Sequence, residues 1–170
     1  MTRLNRQHRI VETMINQTKP NELLFEGSIW CNMDVALRNL DQIFRQMLRP
    51  QNLTVIEWYI LRSLYDEDGR HASDLARGVG RAATSFTPNL DKLQRKGYIE
   101  RQPDKLDRRA VRIHLTEKGE TEREEVLASA EVIDSSIQEL FQSNEFTVFQ
   151  TVLHRLQHME RESLPKPSDN

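Results

Sequence analysis

After Gly97 the hydrophobic period of the chain changes, and that change restricts the fold more than any other feature. Before it, apolar side chains recur at three- and four-residue steps; beyond it, in AVRIHL, Val111, Ile113 and Leu115 alternate with Arg112 and His114. The first spacing lines one face of a helix, and the second lines one face of a strand. AVRIHL is therefore expected to form a half-buried strand. YIERQ can pair with it across the charged tip PDKLDRR, giving a β-hairpin.

The segment before the hairpin reads as a series of helices. From Asn21 to Leu48 the positions Leu24, Ile29, Met33, Ala36, Leu40, Phe44 and Met47 form one long amphipathic stripe that ends before Pro50. Thr54 and Glu57 then form a T-x-x-E capping box, with Leu53 and Trp58 placed as its hydrophobic staple. The helix they start runs from Val55 to Tyr65 and stops at DEDG. A short helix around Ser73 to Arg77 follows, with Leu75 and Ala76 pointing inward. Next comes AATSFTPNLDKLQRKGYI, where Phe86, Leu90 and Leu93 define the inner face of a further helix and Gly97 a suitable terminator.

Beyond the hairpin, Thr116 offers an N-cap, and Val126, Ala130, Ile133, Ile137 and Leu140 carry the stripe of a long helix. Ser143 is the next candidate cap. Phe146, Phe149, Leu153, Leu156 and Met159 mark a last amphipathic helix. The order helix, short helix, helix, two-stranded ribbon is that of a winged helix-turn-helix. The expected fold is mainly α with a small β-wing, flanked by long helices whose stripes exceed what the small middle can cover. Two chains that intertwine these helices would bury them, so a homodimer is expected.

The expected organisation is an N-terminal extension over 1–20, a dimerisation helix over 21–50, the winged helix-turn-helix over 51–116, C-terminal dimerisation helices over 117–162 and a disordered tail over 163–170. The extension places Leu4, Val11, Met14 and Ile15 on one side and Arg3, Arg6 and Arg9 elsewhere. It reads either as an extra helix or as disordered chain.

Composition fits a helix-rich globular protein: 37% apolar, 29% charged and 6% aromatic residues. The single cysteine, Cys31, cannot form an internal disulfide, and neither a signal peptide nor a long apolar span is evident. A cytoplasmic location without membrane contact is the expectation. The net charge of −2 gives no hint of a polyanion partner, but its distribution does. Between Arg70 and Arg112 there are eleven Lys and Arg against five Asp and Glu, including Arg81, Lys92, Arg108 and Arg109.

The inward set Phe86, Leu90 and Leu93 leaves Thr84, Ser85, Pro88, Asn89 and Lys92 on the other side of the helix. Short polar side chains at a helix start let the backbone approach the floor of a major groove, where Ser, Thr and Asn bond base edges. Pro88 fits two helix starts. Thr87 can be an N-cap with Pro88 in the first turn, or the helix can begin a turn earlier, as the spacing from Phe86 suggests. At the hairpin tip, Asp107 lies two residues before Arg109, close enough to hold its guanidinium extended. An arginine ordered in this way suits a narrow minor groove.

The segments LTVIEWYILRSL, SDLARGVG, LDKLQRKGYIER and DKLDRRAVRIHLTEKG resemble the MarR-type transcriptional regulators, most clearly from Leu53 to Gly119. The resemblance implies a dimer that docks one recognition helix per subunit in successive major grooves of a palindromic double-stranded operator, with wing arginines in the flanking minor grooves. By position, Thr84, Ser85, Pro88 and Asn89 fall on base-facing positions, and Asp107 and Arg109 fall on the wing pair. Arg81, Lys92 and Arg108 complete the expected DNA-binding set. Many relatives carry an arginine where Pro88 stands, so a guanine reader is missing here. The resemblance also implies a repressor relieved by a small-molecule effector. Trp30, Met33 and Trp58 are candidates to line an aromatic-ligand cleft, although core packing explains them equally well.

Cys31 reads as a packing residue, with redox sensing in the manner of the family's peroxide-responsive branch as the alternative. His154 and His158, spaced i, i+4, form an ordinary solvated face or half of a metal site; no metal and no cofactor is expected. No HExxH, GxSxG or phosphate-binding glycine loop occurs, so an enzyme is not expected. A winged helix used only for protein contacts is the remaining alternative, and the basic wing counts against it.

Overall fold

The computed structural model describes residues 23–79, 83–104, 106–107, 110–142 and 144–160, and at 83–85 the backbone alone. By its internal contacts the chain divides into two compact units, Met1–Ile133 and Asp134–Asn170. The expected extension (1–20), the Ser143 cap and the tail (163–170) lie outside the described residues.

In the first unit, helix α1 spans Ile29–Leu48. It begins later than the sequence stripe suggests, because Gly27 adopts φ +74 and Ser28 takes the N-cap, its hydroxyl accepting the Cys31 N–H at 3.3 Å. Asn32 folds the preceding turn back by donating to the carbonyls of Phe25 at 2.6 Å and Ser28 at 2.7 Å. Leu24, at the head of the expected stripe, therefore lies outside the helix and is exposed.

A 3-10 turn, Arg49–Gln51, leads to Asn52 at φ 54 and then to helix α2, Val55–Asp66. The capping box forms as the sequence indicates: Thr54 Oγ1 accepts the Glu57 N–H, and Glu57 Oε2 accepts the Thr54 N–H at 2.7 Å. Leu53 and Trp58 are both buried. Strand β1 (Arg70–His71) and helix α3 (Ala72–Gly78) follow, then helix α4 (Ala83–Arg95). Gly97, at φ +78, ends α4 while the Tyr98 N–H returns to the Leu93 carbonyl at 3.0 Å.

Strands β2 (Ile99–Pro103) and β3 (Val111–Leu115) form the antiparallel hairpin, with Arg101 opposite Ile113 and Pro103 opposite Val111. The sheet has a third member that the sequence did not reveal. The two residues of β1 pair with β3, so β3 is central in the order β1-β3-β2. A two-residue strand is too short to show any alternation.

The core lies between α2, α3, α4 and the inner face of the hairpin. Leu61, Leu75, Leu93 and Ile113 are fully buried there, with Phe86 and Leu90 nearly so. Burying each such side chain contributes about 1.5–3 kcal/mol. The C-terminal segment of the unit also joins this core through Val126. Helix α5 (Glu117–Thr121), capped by Thr116, gives way at Glu122 to α6 (Arg123–Gln138), where the sequence suggested one continuous helix. A Cβ on the buried Gly119 would lie 2.3 Å from the Tyr98 carbonyl oxygen, so only glycine lets α5 approach the start of the hairpin this closely.

In the second unit, helix α7 spans Glu145–Gln157 with Asn144 at its N-cap position. Phe141 stacks on Phe149 at 4.7 Å between ring centroids and meets Phe146 at 5.7 Å. Val148, Val152, Leu153, Leu156 and Met159 remain exposed.

Candidate nucleic-acid interface

Helix α4 turns Phe86, Leu90 and Leu93 into the core, and Thr87, Pro88 and Lys92 are exposed with Asn89 half-exposed beside them. The helix begins at Ala83, so Pro88 lies inside it and the reading of Thr87 as N-cap is overturned. A proline there has no N–H to offer the carbonyl four residues back, and burial of the Phe86 stripe outweighs that loss. The backbone of Thr84 and Ser85 falls in the first turn of α4. Arg81 lies outside the described residues.

The wing is tied to α4 by Arg101 on β2. Its Nη2 donates to Asp91 Oδ1 at 2.7 Å and its Nη1 to Gln94 Oε1 at 2.8 Å. Farther out, Asp104 leaves β2 with its side chain 5% exposed. Its Oδ1 accepts the backbone N–H groups of Leu106 at 2.7 Å and Asp107 at 2.9 Å. Its Oδ2 accepts Arg112 Nε at 2.5 Å and lies 3.5 Å from His71 Nε2. The N–H groups of Asp107 and Leu106, helped by Arg112, hold this carboxyl well below the usual carboxylate range. Two backbone bonds close the tip: Asp104 N–H to the Ala110 carbonyl at 3.0 Å, and Ala110 N–H to the Asp107 carbonyl at 2.8 Å. Asp107 is exposed at the tip, while Arg108 and Arg109 lie outside the described residues, and so does the expected Asp107–Arg109 grip.

Other polar contacts brace the back of the same unit. Arg112 Nη1 donates to the Gly69 carbonyl at 2.7 Å, and Asp68 takes the Leu115 N–H at 2.8 Å and faces His114 Nδ1 at 2.9 Å. Lys96, at the end of α4, donates to the Asn52 carbonyl at 2.5 Å and to Glu57 Oε2 at 2.7 Å. Tyr65 donates to the Gly119 carbonyl at 3.0 Å, and burial pushes its phenol up to about 12.

In the sequence Asp104, Arg101, Lys96 and Arg112 are visible only as members of a charge run. Five of the basic residues in that run, Arg77, Lys96, Arg101, Arg112 and Arg70, are engaged with acidic side chains of the chain itself. Arg70 and Arg77 pair with acids three residues before them, but no sequence signal marks the partners of Lys96, Arg101 and Arg112, because those come from other elements.

The candidate effector residues lie in different settings. Trp58 is a core residue whose indole N–H donates to the Val126 carbonyl at 2.8 Å and whose ring meets Phe44 edge-on at 5.0 Å. Trp30 is 75% exposed, and Met33 and Cys31 are half-buried on α1. His154 and His158 are exposed, with ring centroids 4.4 Å apart. Among the described residues no group of three or more His, Cys, Asp and Glu is placed to hold a metal, and no helix is long and apolar enough to cross a membrane.

A helix pair followed by a braced hairpin, with a short-chained polar face on the second helix, defines a winged helix-turn-helix, a fold used by DNA-binding transcription regulators. Residues 53–111 match the model of the MarR family. It is 28% identical over 131 residues to YsmB, an HTH-type transcriptional regulator of Bacillus subtilis, covering 75% of this chain and 90% of that protein. Its fold is similar to a MarR transcriptional regulator from Methanosarcina mazei Go1, with TM-score 0.66 and 23% identity over 73% of this chain and 92% of the other. It is also similar to BpsR of Bordetella bronchiseptica, with TM-score 0.71 and 20% identity over 80% and 97% of the two chains. DNA binding by BpsR is regulated by 6-hydroxynicotinic acid.

Proposed function

We propose that the protein is a cytoplasmic homodimeric repressor that binds a palindromic double-stranded operator and is released from it by a small aromatic effector. The observation that carries the DNA-binding part is the exposed face of α4, with Thr87, Pro88, Asn89 and Lys92, beside a wing whose root is locked by Arg101 and Asp104. Asn can bond an adenine edge with two hydrogen bonds, and Lys92 supplies charge toward a phosphate. Thr84, Ser85, Arg81, Asp107, Arg108 and Arg109 belong to the same proposed surface by their sequence positions.

The dimer is supported separately in each unit by apolar side chains that are exposed among the described residues. In the first unit these are Phe25, Ile29, Trp30 and Leu37 around α1, and in the second Val148, Val152, Leu153 and Leu156 on α7. Exposed apolar groups in such numbers on helices mark an association surface. The effector is suggested by BpsR, whose DNA binding answers to 6-hydroxynicotinic acid, and Trp30, Met33 and Trp58 are the residues proposed to meet it. Footprinting on the DNA upstream of the protein's own gene, with sedimentation of the free protein, tests the reading. Protection of two half-sites by a dimer is expected. A stable monomer at micromolar concentration, or no protected duplex, would remove it.

A further inference from the structure

Resting on the DNA-binding reading, we propose that Asp104 is the positioning residue of the wing: one buried carboxylate sets where the tip stands relative to the helix-turn-helix, and so controls minor-groove contact without touching DNA. The bonds it makes reach three separate elements. Oδ1 holds the Leu106 and Asp107 N–H groups, which fixes the tip as an Asx-type turn. Oδ2 takes Arg112 on β3, whose guanidinium also reaches the Gly69 carbonyl ahead of β1. The same oxygen lies 3.5 Å from His71, the residue immediately before α3.

The geometry separates two tasks that a hairpin alone would leave linked. The paired residues of β2 and β3 end at Pro103 and Val111. Beyond them the described backbone bonds are those from Asp104 N–H to the Ala110 carbonyl and from Ala110 N–H to the Asp107 carbonyl, which close the tip but do not tie it to the helix-turn-helix. Asp104 supplies that tie from a position 5% exposed, where a charged group persists only if its acceptor sites are filled. Leu106, at the tip it organises, is 97% exposed and contributes no burial that could hold the turn in place. The Asp104 carboxylate, together with those two backbone bonds and not packing, orients the tip.

Two substitutions divide the role. Asp104→Asn keeps an amide oxygen for the two backbone donors but removes the charge facing Arg112, while Asp104→Ala removes both. Operator affinity should fall roughly tenfold for Ala and by less for Asn, in line with the loss of one positioned groove contact. The decisive readout is a pair of footprints on the same complex. Hydroxyl-radical protection in the minor grooves flanking the half-sites should weaken in both variants, in the order Ala then Asn, whereas dimethyl sulfate protection of the major groove should persist. If the Ala variant does not fold, as judged by circular dichroism and melting, the Asn variant alone must show the split. Parallel loss of both protections, or unchanged minor-groove protection in a folded variant, overturns the proposal while leaving DNA binding intact. A wild-type protein that protects no duplex overturns the DNA-binding reading, and this proposal with it.

Discussion

Lys96, one residue past the end of α4, reaches 2.7 Å from Oε2 of Glu57, which is fully buried at the start of α2. The same carboxylate oxygen accepts the Thr54 N–H, so one side chain both caps α2 and anchors α4. Its other oxygen, Oε1, is buried with no hydrogen-bond partner among the described residues. A charge half-satisfied in this way depends on its cation. Removing one partner of a buried pair leaves the other uncompensated, which typically costs about 3–5 kcal/mol.

Lys96→Met should therefore destabilise the protein by about 3 kcal/mol, somewhat less than a fully enclosed pair because Lys96 keeps some solvent. Glu57→Gln should also destabilise. The double variant should recover part of the loss, since it leaves no unpaired ion. Urea unfolding of the four proteins measures this. Strict additivity of the two single losses would show that the pair does not act as a unit.

Asp104 gives a pH dependence with a definite sign. Its folded pKa lies below the unfolded value of 3.8, held down by the Asp107 and Leu106 N–H groups and by Arg112. A depressed carboxylate stabilises the fold fully above its unfolded pKa, and that contribution is lost as pH falls through the folded one. The stability advantage of wild type over Asp104→Asn should be constant near about pH 6 and shrink below about pH 4. Unfolding free energies across that range measure it. An advantage that stays the same from neutral pH into strong acid would mean the carboxylate is not ionised in these bonds.

How far the sequence exposed this fold follows from the range of each signal. The capping box at Thr54 and Glu57, the Thr116 cap and the β2–β3 pairing were all readable, because each is set by residues close together in the chain. The start of α1 was misplaced because Leu24 fits the apolar spacing, although Gly27 and Ser28 carried the stop that overrides it. Strand β1 escaped because its identity comes from pairing with β3, some forty residues away. For the site, the local face of α4 was legible from Phe86, Leu90 and Leu93. The braces at Asp104, Arg101 and Lys96 were not, since a charge in sequence does not reveal which distant acid or carbonyl it meets.

Pro88 is expected to be a liability to the helix that holds it. It sits within α4, not before it, so it withholds one helical N–H and crowds the preceding turn. Pro88→Ala should stabilise the protein by about 1–3 kcal/mol, the helical gain being partly offset by greater freedom of the unfolded chain. Denaturant midpoints decide it. A less stable Ala variant would mean that the proline is well fitted and that α4 starts differently in solution.

The face of α4 is expected to divide its work between one base reader and one phosphate contact. Asn89 can form two hydrogen bonds to an adenine edge, so Asn89→Ala should cost about 1–3 kcal/mol at a single base position and little elsewhere. Lys92 is exposed on the same helix and carries charge without base-specific geometry. Lys92→Ala should weaken every sequence alike and flatten the dependence of log affinity on log salt by about one. Pro88 offers no donor, so recognition by this helix should be modest and the flanking minor grooves should matter more than in a protein with arginine at that position. The measurement is a binding selection from random duplexes for wild type and the two variants, with the salt slope determined on the selected site. Should Asn89→Ala keep the wild-type base preference at every position, this face does not read sequence, and the role proposed for residues 84 to 92 has to be withdrawn.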